Sequence, residues 1–252
     1  MSFVAIDESH LGDIAMAIRK LKCGDENANE SYYPREMATA IRLATPDPEY
    51  KLWAHLNMYN DGVDSHLTPF IYGIQGSSNT KTITRFYDCP NLTEVDLSQC
   101  KSVSLGTNCF SGSPNLKKIT FPRGSEECLD LGNRVFGDCP MVTQLVIPQG
   151  AIYGWPFEDS SITKIYLKGA PAGGKFICST YDDGYVVSPF ASCEKLTDLY
   201  VPWGRGSVKG QWWKVIDGVP TEVAIDILEE DAILRRRGVK IHYNYVFDGT
   251  EG

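Results

Sequence analysis

The side chains in this sequence that most readily do chemistry are eight cysteines, four histidines and a few pairs of adjacent acids. The closest cysteines, Cys100 and Cys109, are nine positions apart, and no two cysteines have the two-residue spacing typical of zinc ligands. The histidines are isolated from one another, and none belongs to a His-Glu-x-x-His motif. These spacings predict a protein that holds no metal ion and no cofactor.

Paired carboxylates are the arrangement that a glycoside hydrolase would require. Asp182-Asp183 and Glu229-Glu230 are such pairs, but adjacent acids on a loop or a helix usually face solvent rather than one scissile bond. We therefore predict no catalytic residues and a protein that is not an enzyme. A glycan depolymerase built on a β-solenoid is the enzymatic alternative.

Aromatic and acidic side chains outside the regular pattern are better suited to binding. The candidate binding residues lie in a turn-rich interval and just after the last repeat, and they are Tyr181, Asp182, Asp183, Tyr185, Trp203, Trp212 and Trp213. An exposed loop is a common contact site, and the tryptophans either cover the last repeat or offer flat faces to a sugar or a protein. Both interpretations of the tryptophans stay open at this point.

One repeated position accepts either cysteine or serine. Cys89, Cys139 and Cys193 occupy it in three copies of a repeat, and Ser113 and Ser160 occupy it in two others. A position that takes only these small residues is typical of an inward-facing turn, so we predict buried free thiols there. For the remaining cysteines, a disulfide between neighbouring coils is the alternative.

The repeat itself runs from Phe86 to Pro202 and begins each time with an aromatic residue. Its five copies start at Phe86, Phe110, Phe136, Phe157 and Phe190. Self-similarity at intervals of 21 to 33 residues is typical of a solenoid. The predicted repeat core consists of Phe86, Cys89, Leu92, Val95, Leu97, Phe110, Leu116, Ile119, Phe121, Phe136, Cys139, Leu145, Ile147, Phe190, Cys193, Leu196, Leu199 and Val201.

Each copy ends in a short alternating run that predicts a strand with two inward apolar side chains. A single coil buries too little apolar surface to fold alone, so neighbouring coils must stack and form ladders in a parallel sheet. Pro122, Pro148 and Pro202 follow three of these runs directly, and proline has no N–H with which to continue a ladder. We predict five stacked coils over 86–202 and a second short strand in the segments that link them.

The N-terminal part of the chain has a different pattern. Apolar residues recur at helical spacing over 11–21 and again over 33–43, which predicts a helical hairpin in 1–43. Because such a hairpin is too small to be stable alone, we expect it to attach to a partner. The candidate attachment residues are Ile14, Ile18, Met37 and Ile41. Residues 44–85 are interpreted as a linker and an N-terminal cap.

The C-terminal part, 203–252, is predicted to be a helix-strand module that caps the end of the solenoid or mediates its assembly with other proteins. Acids come early in 221–238, three arginines come late and Gly238 ends the run, which favours one helix with a glycine cap. The alternation in 239–247 predicts a final strand.

Composition and charge limit the possible partners. The chain has 252 residues, a formal net charge of −8 and 42% hydrophobic residues. Basic residues are scattered except at Arg235-Arg236-Arg237, which argues against a nucleic-acid partner. No apolar run is long enough for membrane insertion, and the first residues lack the features of a signal peptide.

The repeated phrase Phe-x-x-Cys-x-x-Leu-x-x-Ile-x-Phe-Pro resembles the BspA-type leucine-rich repeat of bacterial surface proteins and many phage proteins. The Ala-Ile-Arg phrases within 11–43, and Val201-Pro-Trp203 with Ile241-His-Tyr243-Asn244, are similar to the ends of bacteriophage tail or minor structural proteins. In that group the last two phrases are closer together than they are here.

The resemblance implies a mainly β, leucine-rich-repeat-like parallel β-solenoid with an N-terminal helical hairpin and a C-terminal helix-strand module. It implies a multi-copy virion component, made in the host cytoplasm, on the tail, baseplate or capsid. The expected partners are other virion proteins, further copies of the chain and a host cell-surface protein or glycan. A bacterial cell-surface adhesin with the same repeats is the alternative.

Overall fold

A computed structural model describes residues 4–6, 52–56, 71–122, 129–148, 151–152, 154–168, 176–177, 179–180, 186–249 and 251. The helical hairpin predicted in 1–43, with Ile14, Ile18, Met37 and Ile41, lies outside the described residues. So do Tyr181, Asp182, Asp183 and Tyr185 of the predicted binding loop. The hairpin and the loop therefore stay predictions.

Eighteen strands and three short helices are described. The strands are β1 (Val4–Ile6), β2 (Leu52–His55), β3 (Ile71–Gln75), β4 (Thr82–Ile83), β5 (Glu94–Asp96), β6 (Val103–Leu105), β7 (Lys118–Thr120), β8 (Leu129–Leu131), β9 (Gln144–Ile147), β10 (Ala151–Ile152), β11 (Lys164–Leu167), β12 (Phe176–Ile177), β13 (Ser179–Thr180), β14 (Val186–Val187), β15 (Asp198–Tyr200), β16 (Lys209–Ile216), β17 (Val219–Asp226) and β18 (Lys240–His242). The helices are a 3₁₀ helix (Pro189–Ser192), α1 (Ile227–Glu230) and α2 (Ala232–Arg237).

Most of the described residues form a parallel β-solenoid, as the repeat predicts. One ladder runs in the order β1-β2-β3-β5-β7, and its counterpart further along the chain runs in the order β9-β11-β15-β18. A separate ladder, β10-β8-β6-β4, contains the linking strands predicted between the repeats. Strands β3 and β4 already pair with β5 and β6, so the sheets extend before residue 86.

The register of the ladders places equivalent apolar residues beside one another. Val95 pairs with Ile119 in one ladder, and Leu145, Ile165 and Leu199 follow one another in the next. All of the predicted core positions are buried except Ile119, which is partly buried and packs against the core. Within each ladder, an inward residue is therefore covered by its counterparts in the paired strands.

The leading phenylalanines form the centre of the core. All five are fully buried. The ring centroids of Phe86 and Phe110 are 6.5 Å apart, those of Phe110 and Phe136 are 6.2 Å apart, and those of Phe157 and Phe190 are 6.1 Å apart. Stacked or tilted rings at these separations add to the free energy gained by burying the apolar surface.

The acidic or glycine residue two positions after the phenylalanine turns the chain. Asp88, Gly112, Asp138 and Asp159 all have φ between 53° and 71°, in the left-handed region. Asp, Asn and Gly tolerate this conformation best. At Gly112 a side chain would also meet the Asp88 carboxylate. The small and acidic residues of the phrase therefore serve the turn.

The solenoid has about four turns, one fewer than the five coils predicted. The linking ladder has four strands and ends at β10. The fifth phrase extends the other ladder through β15, but its linking segment does not follow the pattern. There, β14 pairs antiparallel with β13, and the 3₁₀ helix leads into the phrase.

The prediction of a single helix over 221–238 is wrong for its first part. Residues 219–226 form β17, which pairs antiparallel with β16 along its whole length. Asp217 and Gly218 join the two strands, both with positive φ, and Asp-Gly is a preferred type I′ hairpin turn. The alternation of Val219, Thr221, Val223 and Ile225 suits a strand better than a helix.

Two short helices follow the hairpin and fasten it to the solenoid. The buried Asp231 carboxylate caps α2 by accepting from the N–H groups of Ile233 and Leu234, and it also accepts from the N–H of Ser188 at 2.6 Å. Arg237 donates to the carbonyl oxygens of Ala191 and Cys193. Because both residues reach back to the fifth repeat, α2 is held against the end of the core.

The final strand is shorter than the predicted 239–247. It covers only β18, because Asn244 adopts a left-handed φ of 57° and reverses the chain. None of the described helices has the length and apolarity needed to cross a lipid bilayer.

Candidate binding surface

Three aromatic rings stack on the side of the strands that faces away from the core, near the C-terminal end of the solenoid. Tyr166 is buried in this stack, whereas Tyr200 and His242 are partly exposed. Tyr166 of β11, Tyr200 of β15 and His242 of β18 occupy one register position in three neighbouring strands. Their side chains point outward because the residues next to them in each strand, such as Ile165 and Leu199, fill the core. The centroid distances are 4.4 Å for Tyr166–Tyr200 and 4.3 Å for Tyr200–His242, with interplanar angles of 9° and 8°.

The C-terminal segment folds back over this stack. The Tyr245 ring lies edge-on to Tyr200 at 4.8 Å and contacts Tyr166 at 5.8 Å. Phe247 meets Tyr245 at 5.2 Å, also edge-on. We call the set Tyr166, Tyr200, His242, Tyr245 and Phe247 the aromatic face. Rings that are locked by their neighbours lose little conformational entropy on binding, so the face is preorganised.

Carboxylates border the aromatic face on two sides. The Asp198 carboxylate lies 2.8 Å from Nε2 of His242, and this hydrogen bond holds the pKa of Asp198 below its usual range. The Tyr245 hydroxyl donates to Glu251 at 3.0 Å, and burial together with this bond raises the pKa of Tyr245 to about 12. The face is therefore apolar and π-rich at its centre and hydrogen-bonding at its edge, which suits an amphipathic protein surface or a sugar.

Two phrases that are far apart in sequence build the corner beside this face. Asn244 donates its N–H to the carbonyl oxygen of Trp203 at 2.9 Å, and Tyr245 donates to that of Val201, also at 2.9 Å. The Val-Pro-Trp and Tyr-Asn phrases therefore meet in space. The hairpin and helices between them form an excursion from this corner.

The equivalent outer face near the N-terminal end is polar. Asp96 and Thr120 pair in register at the position that the aromatic residues fill further along. Next to them, Lys118 and Glu94 form an exposed ion pair at 2.6 Å. The aromatic face is thus confined to one end of the solenoid.

The structure separates the tryptophans that the sequence groups together. Trp203 is partly buried and packs against the core, which favours its capping role. Trp212 and Trp213 belong to β16, and their side chains lie outside the described residues. Sequence reasoning missed Tyr166 and Tyr200. The sequence pattern that could have identified them is an aromatic residue between the two inward residues of a strand, in consecutive repeats.

The predicted Cys/Ser position is buried in every copy, and its thiols are free in the part of the chain described here. The Cys139 thiol donates to the carbonyl oxygen of Phe110 at 3.1 Å, and the Cys193 thiol to that of Ile162 at 3.2 Å. Burial raises the pKa of Cys139 and of Cys193 to about 11. These neutral thiols join consecutive coils and are poor nucleophiles. Across the described ranges, no group of His, Cys, Asp or Glu side chains is arranged to hold a metal ion.

Residues 73–170 match the BspA type leucine rich repeat region, in six copies. The match begins in β3 and covers the ladders up to β11, so it coincides with the regular part of the solenoid. Repeats of this type indicate a protein-binding or surface-adhesin role. A comparison with curated proteins found no significant match.

Proposed function

We propose that this protein is a binding protein, not an enzyme, and that the aromatic face is its main contact surface. The observation that carries the proposal is the locked stack of Tyr166, Tyr200 and His242 on a rigid repeat scaffold. Aromatic side chains are enriched among residues that dominate binding energy, and rigid ones lose least entropy on contact. The carboxylates at the border supply hydrogen bonds that select the partner.

The proposed setting is a bacteriophage particle, in which the N-terminal segment attaches to the tail, baseplate or capsid and the solenoid faces the host surface. This finer proposal is supported by the resemblance of the phrases in 11–43, 201–203 and 241–244 to ends of phage structural proteins. The partners are then other virion proteins and a host surface protein or glycan. The protein works in many copies on the particle.

The binding role is tested by adsorption of the fluorescently labelled chain to a panel of intact bacteria. Replacing Tyr200 by alanine removes the central ring of the stack, so binding to the responsive bacterium falls about tenfold or more. The matched control is Tyr87→Ala, since Tyr87 is 42% exposed and lies on the first repeat, away from the face. Equal binding by both variants contradicts the proposal.

The setting is tested separately by deleting residues 1–43. In a phage that encodes the chain, the deletion removes the protein from purified particles, as measured by mass spectrometry. Because this deletion also removes β1 of the first ladder, a second variant that lacks only 11–43 is compared, and it too is lost from particles while its binding to bacteria is unchanged. An adhesin on a bacterial surface is the second candidate, favoured by the repeat type itself. Detection of the chain on the producing bacterium, and its absence from particles, decides for the adhesin.

A further inference from the structure

The C-terminal end of the solenoid contains a cavity of about 230 Å³. Its apolar wall is formed by Leu228, Leu234, Val239 and Ile241. An engineered apolar cavity of roughly 150 Å³ is large enough to hold benzene, so this one has room for a large aliphatic side chain. Ile241 is the last inward residue of its ladder, next to Leu199, and it is only partly buried. The cavity therefore lies where the core would continue if another coil followed.

A strand edge adjoins this cavity. Strand β18 is the last member of its ladder. Lys240 donates its N–H to Thr197, and His242 accepts from the N–H of Val201, so both residues bond toward β15. In a parallel ladder alternate residues bond to opposite sides, so the N–H and C=O of Ile241 point away from β15. Such an edge is a template for one more strand.

The rim of the cavity is positively charged although the chain as a whole is negative. Arg205 and Arg235 lie on the rim with a single acid, Glu229. Glu229 is already engaged, because it accepts from the Tyr243 hydroxyl and lies 3.2 Å from Arg205. Arg235 donates to the carbonyl oxygen of Glu229 and forms no ion pair with any residue described. The surplus charge favours an acidic ligand.

We infer that this edge and cavity bind an extended, acidic segment of a partner protein, which adds to β18 as a further strand. One aliphatic side chain of that segment enters the cavity beside Ile241, and carboxylates two residues before or after it meet Arg205 and Arg235. Side chains two residues apart in a strand lie on the same face. One added strand can therefore place its aliphatic side chain in the cavity and its carboxylates against the arginines of the rim. This site uses the edge and the inward face of β18, whereas the aromatic face uses the outward side chain of His242 on the same strand.

The probe is an acetylated, amidated peptide, Thr-Asp-Thr-Leu-Thr-Asp-Thr, titrated into the full chain by calorimetry at low salt. Peptides with alanine in place of leucine, or asparagine in place of both aspartates, bind about tenfold more weakly or worse. Arg235→Glu reduces the affinity for the first peptide by a similar factor. The matched control Arg236→Glu changes the same charge at an exposed position on α2 that does not line the cavity, and it leaves the affinity within about twofold.

Hydrogen exchange supplies the second measurement. The bound peptide slows exchange of the Ile241 amide, because that N–H gains a partner. The inference is overturned if the wild-type chain does not bind the peptide, if Arg235→Glu and Arg236→Glu bind it equally, or if Ile241 stays unprotected. The inference is also overturned if the wild-type chain is dimeric by light scattering and its Ile241 amide is already protected. In that case the edge of β18 pairs with a second copy of the chain.

Discussion

The two ends of the solenoid share one interior and differ on the outside. Val95 at the N-terminal end and Leu199 at the C-terminal end occupy equivalent, fully buried rungs. On the outer face, Asp96 and Thr120 at one end correspond to Tyr200 and its stacked neighbours at the other. Packing therefore fixes the inward residue types, whereas the outer residues are free to vary, and it is to them that we assign the proposed binding.

We expect the largest loss of stability from a substitution in the buried core that both ends of the solenoid share. Phe136→Ala removes a fully buried ring that contacts Phe110 and Phe121, so the free energy of unfolding falls by about 3–5 kcal/mol. Urea denaturation measures this. Tyr87→Ala, at an exposed position, changes the free energy of unfolding by no more than about 0.5 kcal/mol. A loss below about 1 kcal/mol for Phe136→Ala contradicts the stacked core.

The next effect tests whether the C-terminal module is fastened to the solenoid. Asp231→Ala leaves three buried or partly buried N–H groups without their acceptor, including that of Ser188, and costs about 2–4 kcal/mol of unfolding free energy. Asp226→Ala removes only the cap of α1 and costs about 1 kcal/mol. Thermal or urea unfolding measures both variants. If Asp231→Ala and Asp226→Ala lose the same free energy of unfolding, the hydrogen bond between Asp231 and Ser188 does not contribute to stability.

The solenoid was predictable because the same apolar pattern recurs in every copy. Each coil packs only against neighbouring coils that have the same sequence pattern. The inward residues can therefore be predicted from the repeated phrase alone. The hairpin of β16 and β17 was missed for the opposite reason. In 221–238, acids precede arginines, which is also the charge order of a stable helix. Only the Asp217-Gly218 turn and the pairing with β16 show that the first part of this segment is a strand.

The aromatic face escaped prediction because unequal insertions separate its members. Tyr166, Tyr200 and His242 are adjacent in space only because the interval after β11, and then the hairpin and helices, leave the solenoid and return in register. Residue spacing alone does not reveal this. The contact of Asn244 with Trp203 likewise depends on the excursion between them.

Alkaline pH tests the buried thiols of the shared interior. Burial raises the pKa of Cys139 from 9.0 to about 11, so the folded state holds its proton where the unfolded state loses it. The free energy of unfolding therefore falls as the pH rises from 9 to 11, by at most about 2.7 kcal/mol for this thiol. Cys139→Ser, which introduces the residue found at Ser113 and Ser160, removes its share of the fall. An unchanged pH slope in the variant contradicts the assignment.

The smallest effect is expected on the polar outer face. The exposed ion pair of Lys118 and Glu94 is screened by solvent, so Lys118→Gln changes the free energy of unfolding by less than about 0.5 kcal/mol. Adsorption to bacteria is also unchanged, because this end of the solenoid lacks the aromatic face. A loss of adsorption comparable to that of Tyr200→Ala moves the contact surface to the N-terminal end.

Hydrogen exchange of the whole chain, free and bound to a surface extract of the bacterium that it adsorbs to, tests the central claim most directly. We predict slower exchange on binding in 164–167, 198–200 and 240–247, and unchanged exchange in 94–96 and 118–120. Protection confined to the N-terminal strands, or spread evenly along the solenoid, contradicts it.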